Sequence, residues 1–296
     1  MEPGTYNITT PIIGASGITI EGTAASSTIL NFGSTSANVS FTGSSLYNTG
    51  TITVASGVNI TGSGTFWLAN VTTSYQLFLG TKWYKIAAIT SDTTLILAEA
   101  YGDNVTLPST YRIAIPKLDI NFKEVTFQNS TGTALALTDC RNVALDNCNF
   151  ISNNKGFVFT NVSELTVNSC TIAASTSNGY ELTNCGLGEF RTVASVGNGG
   201  HGAVLHNVKT LPFVHCAFNS STSDGFNCTT VVNGSFETET SGNGGQGIEF
   251  VSGCNSNFIS SPLMSGNTSD GLKLTATSDG NVIVAGSITG NGGYGI

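Results

Sequence analysis

The sequence predicts an all-β chain: a right-handed parallel β-helix, a solenoid of about 23 residues per coil, with a small β-rich insertion. Three observations predict it. Glycines recur at a near-constant interval through the second half of the chain. The residues after each glycine alternate between apolar and freely chosen. No stretch of that region shows the 3.6-residue amphipathic period of a helix.

The interval comes from Gly132, Gly156, Gly179, Gly202, Gly225, Gly247 and Gly271, with Gly295 closing the series. Polar stretches such as 152–155 and 221–224 precede these glycines. Glycine is expected there for the positive φ of a tight corner. Phe157 and Phe159, Tyr180 and Leu182, Phe226 and Cys228, and Leu272 and Leu274 bracket Val158, Glu181, Asn227 and Lys273. A period of two is a strand with one buried face. A second alternating run follows in each coil, as in Val143/Leu145/Cys148/Phe150 and Leu165/Val167/Cys170/Ile172. Leucine-rich repeats share the period but need an LxxLxL pattern that is absent. At about 3.3 Å per residue a coil has a contour of roughly 75 Å, which suits three short strands and their turns.

Ten basic and 18 acidic residues give a net charge of −8, with only 9% of the chain charged. Gly, Ser, Thr and Asn replace the missing charges. The regular aliphatic and aromatic positions argue against disorder. The acidic balance argues against nucleic acid as a partner, since that asks for a basic stripe, and against anionic membrane surfaces. No apolar run approaches the ~20 residues of a membrane span. The segment 1–4 lacks the basic start and apolar stretch of a signal peptide. The chain opens in a Pro-Gly turn and stops at Gly295-Ile296, where a strand is due, so a section of a longer protein is expected. Seven cysteines show no CxxC spacing. Most fall where Val, Leu or Phe fall in neighbouring coils, so buried free thiols are expected, with no metal and no cofactor.

Residues 60–116 break the period. They read as short strands at 76–79, 83–86, 94–97 and 111–114, with turns at Ser91-Asp92 and Tyr101-Gly102-Asp103-Asn104. The expected organisation is therefore 1–59 as N-terminal coils, 60–116 as an inserted, barrel-like module, and 117–296 as the main solenoid.

The repeat resembles the parallel β-helix of the pectin-lyase-like superfamily. The segments 3–8, 11–13, 17–22 and 27–30 resemble its opening coils. Within the insertion, 62–65, 79–80, 83–86, 91–95 and 111–113 resemble a module of phage tail fibres and spikes. That resemblance implies a virion tail protein, a homotrimer attaching to host surface polysaccharide. One fold hosts many reactions, so the site has to argue the chemistry.

Glycoside hydrolysis needs two carboxyls about 5–9.5 Å apart. The outward column of the first strand holds Glu181, Val204, Asn227, Glu249 and Lys273. Glu181 and Glu249 stand three coils apart, roughly 14 Å, too far to work as that pair. His206 lies one step further along its strand. Glu181, His206 and Glu249 are the catalytic candidates, against a plain solvated face. Lys273 is expected beside Glu249 as an ion pair, and with Trp67 and Trp83 it is a glycan-binding candidate; a purely structural role for the two tryptophans is the alternative. Gly200-His201-Gly202 resembles the GHG of polygalacturonases. However, the sequence has no adjacent carboxylates and no RIK, and His201 fills the variable slot before an anchoring glycine. Asp139, Asp146 and Arg191 are too thinly clustered for a calcium-dependent lyase.

Three functions follow. The first is a tail spike or fibre that binds host polysaccharide, on the virion. The second is a polysaccharide hydrolase or lyase on this fold. The third is an extracellular cell-surface adhesin.

Overall fold

The computed structural model describes residues 1–54, 57–102, 105–109, 111–275 and 277–296. Two sheets account for the strands: one of 24 strands and one of eight. Among the described residues the only helix is the single turn Trp67–Asn70.

The larger sheet is the solenoid. Strand Thr133–Asp146 lies parallel to Lys155–Asn168, with Leu135 beside Phe157 and Val143 beside Leu165. Register then runs unbroken up one inward column: Leu135, Phe157, Tyr180, Ala203, Phe226, Ile248, Leu272. All seven are fully buried. The rings stack from coil to coil, Phe127 on Phe150 at 4.8 Å and Phe157 on Tyr180 at 4.6 Å. Each buried Phe contributes roughly 1.5–3 kcal/mol.

The anchoring glycines serve a different purpose from the one expected. None of Gly179, Gly202, Gly225 and Gly247 has positive φ. Instead a Cβ on Gly202 would stand 2.6 Å from the Gly225 carbonyl oxygen, and one on Gly179 would stand 2.4 Å from that of Gly202. These coils approach too closely for any side chain. The first coil is also offset: Thr133 pairs with Lys155, so Ala134 occupies the slot that Gly132 was expected to fill.

The bends carry the left-handed residues. Asp139, Asn161, Asn184 and Asn207 have φ of 55, 56, 54 and 51°, a region Asn and Asp tolerate. Their side chains form a ladder. Asn161 Nδ2 donates to Asp139 Oδ1 at 2.8 Å, Asn184 to Asn161 at 2.8 Å, and Asn207 to Asn184 at 2.7 Å. A second ladder runs inside another turn, from Asn243 to Asn267 to Asn291, at 2.9 Å per rung. Buried amides are tolerated because each finds a partner. All seven cysteines are buried and free. Cys185 and Cys216 donate to main-chain carbonyls, and burial pushes both thiols up to about 12.

The smaller sheet interrupts a coil at the bend. Strand Val39–Thr42 pairs with Leu135 to Thr138, and Lys117 pairs with Cys140 on the far side of the left-handed Asp139. Between them the chain makes eight strands, the first at Ser44–Tyr47 and the last at Arg112–Ile115. The sequence placed this break at 60. Strands Thr51–Val54 and Gly57–Ser63 alternate as coil strands do, yet they pair antiparallel with each other. Strands Gln76–Leu79, Lys82–Ser91 and Thr94–Tyr101 cover three of the expected segments. Asp103 and Asn104 of the expected turn lie outside the described residues.

This sheet has its own core, including Ile52, Val54, Trp67, Leu77, Leu95 and Ile113. Several contacts fasten it to the solenoid, among them Arg141 Nη1 donating to Gln76 Oε1 at 3.4 Å. Trp83 Nε1 donates to the Asn161 carbonyl at 2.8 Å. The Trp83 main-chain N–H donates to Ser163 Oγ at 3.4 Å, and within the insertion Phe78, Trp83 and Ala114 form a separate buried cluster around that ring. The Arg112 guanidinium pairs with the buried carboxylate of Asp139.

Candidate functional site

The outward column of the first strand is present as read. Val158, Glu181, Val204, Asn227, Glu249 and Lys273 are successive neighbours across six coils. Glu181 and Glu249 are therefore three rungs apart, roughly 14 Å, and do not share chemistry. Glu181 Oε1 is held by Lys155 Nζ at 2.7 Å and Asn178 Nδ2 at 2.8 Å. His206 is exposed in a row of threonines, between Thr183 and Thr229.

Glu249 is where side chains converge. Lys273 Nζ donates to its Oε1 at 2.6 Å, the expected ion pair. Asn227 Nδ2 donates to its Oε2 at 3.0 Å and also to Asp224 Oδ2 at 3.1 Å. One amide nitrogen thus bridges two carboxylates, whose oxygens lie within about 6 Å of each other. Sequence reading missed Asp224 as a partner, because it treated the position before each glycine as a variable turn slot.

That slot has a defined task. Asn178 Oδ1 accepts the His201 main-chain N–H at 2.9 Å, His201 Nδ1 accepts that of Asp224 at 3.2 Å, and Asp224 Oδ1 accepts that of Gln246 at 2.8 Å. Asp270 Oδ1 does the same for Tyr294 at 2.7 Å. Asn178, His201, Asp224 and Asp270 each offer an acceptor to the next coil, and that recurrence of acceptors was the available signal. His201 is therefore a turn residue whose GHG context is set by the repeat. Burial works to raise the Asp224 carboxyl. The His201 imidazole beside it, the Gln246 N–H and Asn227 together outweigh burial and hold the carboxyl below its ordinary value.

The two tryptophans offer no ring to a ligand. A glycan pad needs exposed faces, and both are fully buried. Trp67 Nε1 donates to the Tyr111 hydroxyl at 3.1 Å, and that hydroxyl donates to the Thr49 carbonyl at 2.5 Å. Burial pushes the Tyr111 phenol up to about 12, against the Trp67 hydrogen bond. Trp83 is committed to Asn161, as above. An aromatic residue in a polar chain reads the same in a core as on a pad, so sequence could not separate the two.

Among the described residues, the five hollows lined elsewhere on the molecule do not include Glu181, Asp224 or Glu249. A polar hollow of about 560 Å³ lies instead on the seam between the insertion and the solenoid, with Arg112, Asn207 and Lys209 among its walls.

A family model described as the right handed beta helix region matches residues 56–238, more than half of the chain, and the chain belongs to that family. No curated protein matches. The A-module of mannuronan C-5 epimerase AlgE6 of Azotobacter vinelandii superposes with a TM-score of 0.50 at 13% identity, covering 99% of this chain and 87% of that one. The tailspike protein gp49 from Pseudomonas phage LKA1 gives 0.49 at 12% identity, covering 100% and 71%. The periplasmic alginate epimerase AlgG gives 0.49 at 13% identity over 59% of this chain, which spans 46% of that protein. At such identities the likeness shows the fold alone.

Proposed function

We propose that this β-helix binds polysaccharide, as a binding and structural part of a virus tail spike or fibre that attaches to host surface glycan as a homotrimer. The observation that carries it is the outward column. Asn227, Glu249 and Lys273 present hydrogen-bonding groups at one per coil, about 4.8 Å apart. An amide, a carboxylate and an ammonium set one per coil match the spacing of a repeating, hydroxyl-rich polymer. With 9% charged residues, the surface as a whole favours hydrogen-bonded recognition over charge-driven capture. Exposed Phe258, Leu263, Val282 and Val284, close to the C-terminus, supply apolar surface for a neighbouring protomer. Light scattering on the eluting protein tests assembly, and a trimer is expected; a monomer at micromolar concentration counts against the spike. Binding to capsulated bacteria, compared with their capsule-stripped counterparts, tests the glycan.

One observation favours a second reading, a polysaccharide hydrolase or lyase. Asp224 and Glu249 are bridged by Asn227 at a separation that reaches the range used by paired catalytic carboxyls. Incubation with a capsule panel, scored by new reducing ends and by absorbance at about 235 nm for the unsaturated product of a lyase, tests it. The expected signature is turnover lost in Glu249→Gln; wild-type protein that releases nothing from any glycan removes this reading.

A further inference from the structure

The hollow on the seam has a chemistry of its own. It forms because the insertion leaves a coil at the bend and lies back over the bends of later coils, where the ladder Asn161, Asn184, Asn207 runs. Three features meet there. Lys209 ends the strand Ala203–Lys209, is half-buried, and pairs with no carboxylate among the described residues. Asn207 ends the ladder: its Nδ2 donates to Asn184, while its Oδ1 accepts nothing among the described residues. Gly80, at φ +63°, stands over the ammonium: a Cβ there would lie 3.9 Å from Lys209 Nζ, so the missing side chain leaves that space open.

The neighbouring cation does not duplicate Lys209. Arg112 is balanced by the buried Asp139, so its charge is spent within the wall. Among the described residues the hollow therefore offers the Lys209 ammonium without a carboxylate partner, the Asn207 amide oxygen without a donor, and the ring of Phe78. A partly desolvated ammonium without a counter-charge is costly, and an anionic ligand removes that cost through a charge-assisted hydrogen bond. A chain of net charge −8 disfavours an anionic polymer over most of its surface, so a cation in a hollow is the kind of place that can hold one. The volume, about 560 Å³, lies within the range of small-ligand sites.

We infer that the seam binds a carboxylate-bearing sugar residue of an acidic polysaccharide, its carboxylate on Lys209 Nζ and a hydroxyl donating to Asn207 Oδ1. This rests on the polysaccharide reading above and names the class of glycan.

The test titrates the full chain with hexasaccharides of glucuronate, galacturonate and mannuronate, and with their carboxyl-reduced forms, at constant salt. Calorimetry gives affinity. Tryptophan fluorescence reports the seam, because Phe78 lies 4.9 Å from Trp83, centroid to centroid. At least one acidic hexamer is expected to bind, and its reduced form to bind about tenfold more weakly or worse. Lys209→Gln is expected to lose the same factor at an unchanged thermal midpoint, and Lys209→Arg to stay within about threefold of wild type. Gly80→Asn, a residue that tolerates the left-handed backbone, is expected to block the space and abolish binding. Equal affinity of wild type and Lys209→Gln, or equal affinity for acidic and reduced hexamers, overturns the inference. If capsule binding persists in that case, the polysaccharide reading stands without it. Silence toward every hexamer overturns the inference, and silence toward the capsule panel as well takes the broader reading with it.

Discussion

Trp83 and Asn161 join the two sheets: the indole N–H of one donates to the main-chain carbonyl of the other at 2.8 Å, in a fully buried contact. The bond crosses from the insertion to a bend of the solenoid, and Asn161 is at once a left-handed residue and a rung of the asparagine ladder. Replacing the ring therefore removes packing and leaves a buried carbonyl short of a donor. Trp83→Ala is expected to cost about 3–5 kcal/mol. Trp83→Phe, which keeps a ring but not the donor, should cost about 1–3 kcal/mol. Urea denaturation followed by Trp67 fluorescence measures both, and a Trp83→Phe variant as stable as wild type would show that the hydrogen bond contributes nothing.

Two glycines separate close approach from backbone conformation. Gly202 has an ordinary backbone, but a Cβ would meet the Gly225 carbonyl oxygen at 2.6 Å. Gly197 has φ +65° and open space around its Cβ position. Gly202→Ala must force two coils apart and is expected to destabilise by more than about 2 kcal/mol. Gly197→Ala carries only the left-handed penalty, about 1 kcal/mol, and Gly197→Asn less. Thermal melts of the three proteins rank them, and Gly197→Ala falling below Gly202→Ala would reverse the argument.

Asp224 gives a pH dependence with a definite sign. Burial works to raise its carboxyl, and the His201 imidazole, the Gln246 N–H and the Asn227 amide together outweigh that and hold it below the ordinary value. A depressed folded-state value means stability that is fully present above the unfolded value of about 4 and lost as pH falls through the lower folded value. Asp224→Asn keeps an acceptor for the Gln246 N–H but has no carboxyl to protonate. Between about pH 4 and 2, the urea midpoint of wild type should therefore fall more steeply than that of the variant. Parallel slopes would mean that the carboxyl is not held by these partners.

What was legible in the chain follows from what a period can encode. Inward columns such as Phe157–Tyr180–Ala203 were readable because alternation is local, and stacking merely repeats it. The Glu249–Lys273 pair followed from the same register. The start of the insertion was not readable: Ile52, Val54 and Ile60 point inward at every second residue whether the strand joins a coil or an antiparallel pair. Asp224 escaped because its contacts with His201 and Asn227, and through Asn227 with Glu249, combine a turn slot with a strand column, and only the three-dimensional bend brings those together. The seam hollow was invisible for the same reason, since Gly80 and Lys209 meet only once the insertion folds back.

The cysteines make the last prediction, and it probes whether the interior is continuous. All seven are buried along the solenoid, from Cys140 to Cys254. Cys140, Cys185, Cys216 and Cys254 donate Sγ–H to main-chain carbonyls, two of them the carbonyls of Phe159 and Phe190 in the coil below. Burial pushes Cys185 and Cys216 up to about 12, so at pH 8 almost no thiolate of these two is present to react, and burial keeps reagent from all seven. A disulfide reagent added to native protein at that pH is expected to label none of the seven within minutes. In denaturant it should label all seven, and the labelling rate in intermediate denaturant should report coil opening. Because coils contact only their neighbours, Cys254 near the C-terminal end should become reactive at lower urea than Cys170 in the middle. Simultaneous exposure of both would show instead that the solenoid opens as a single cooperative unit.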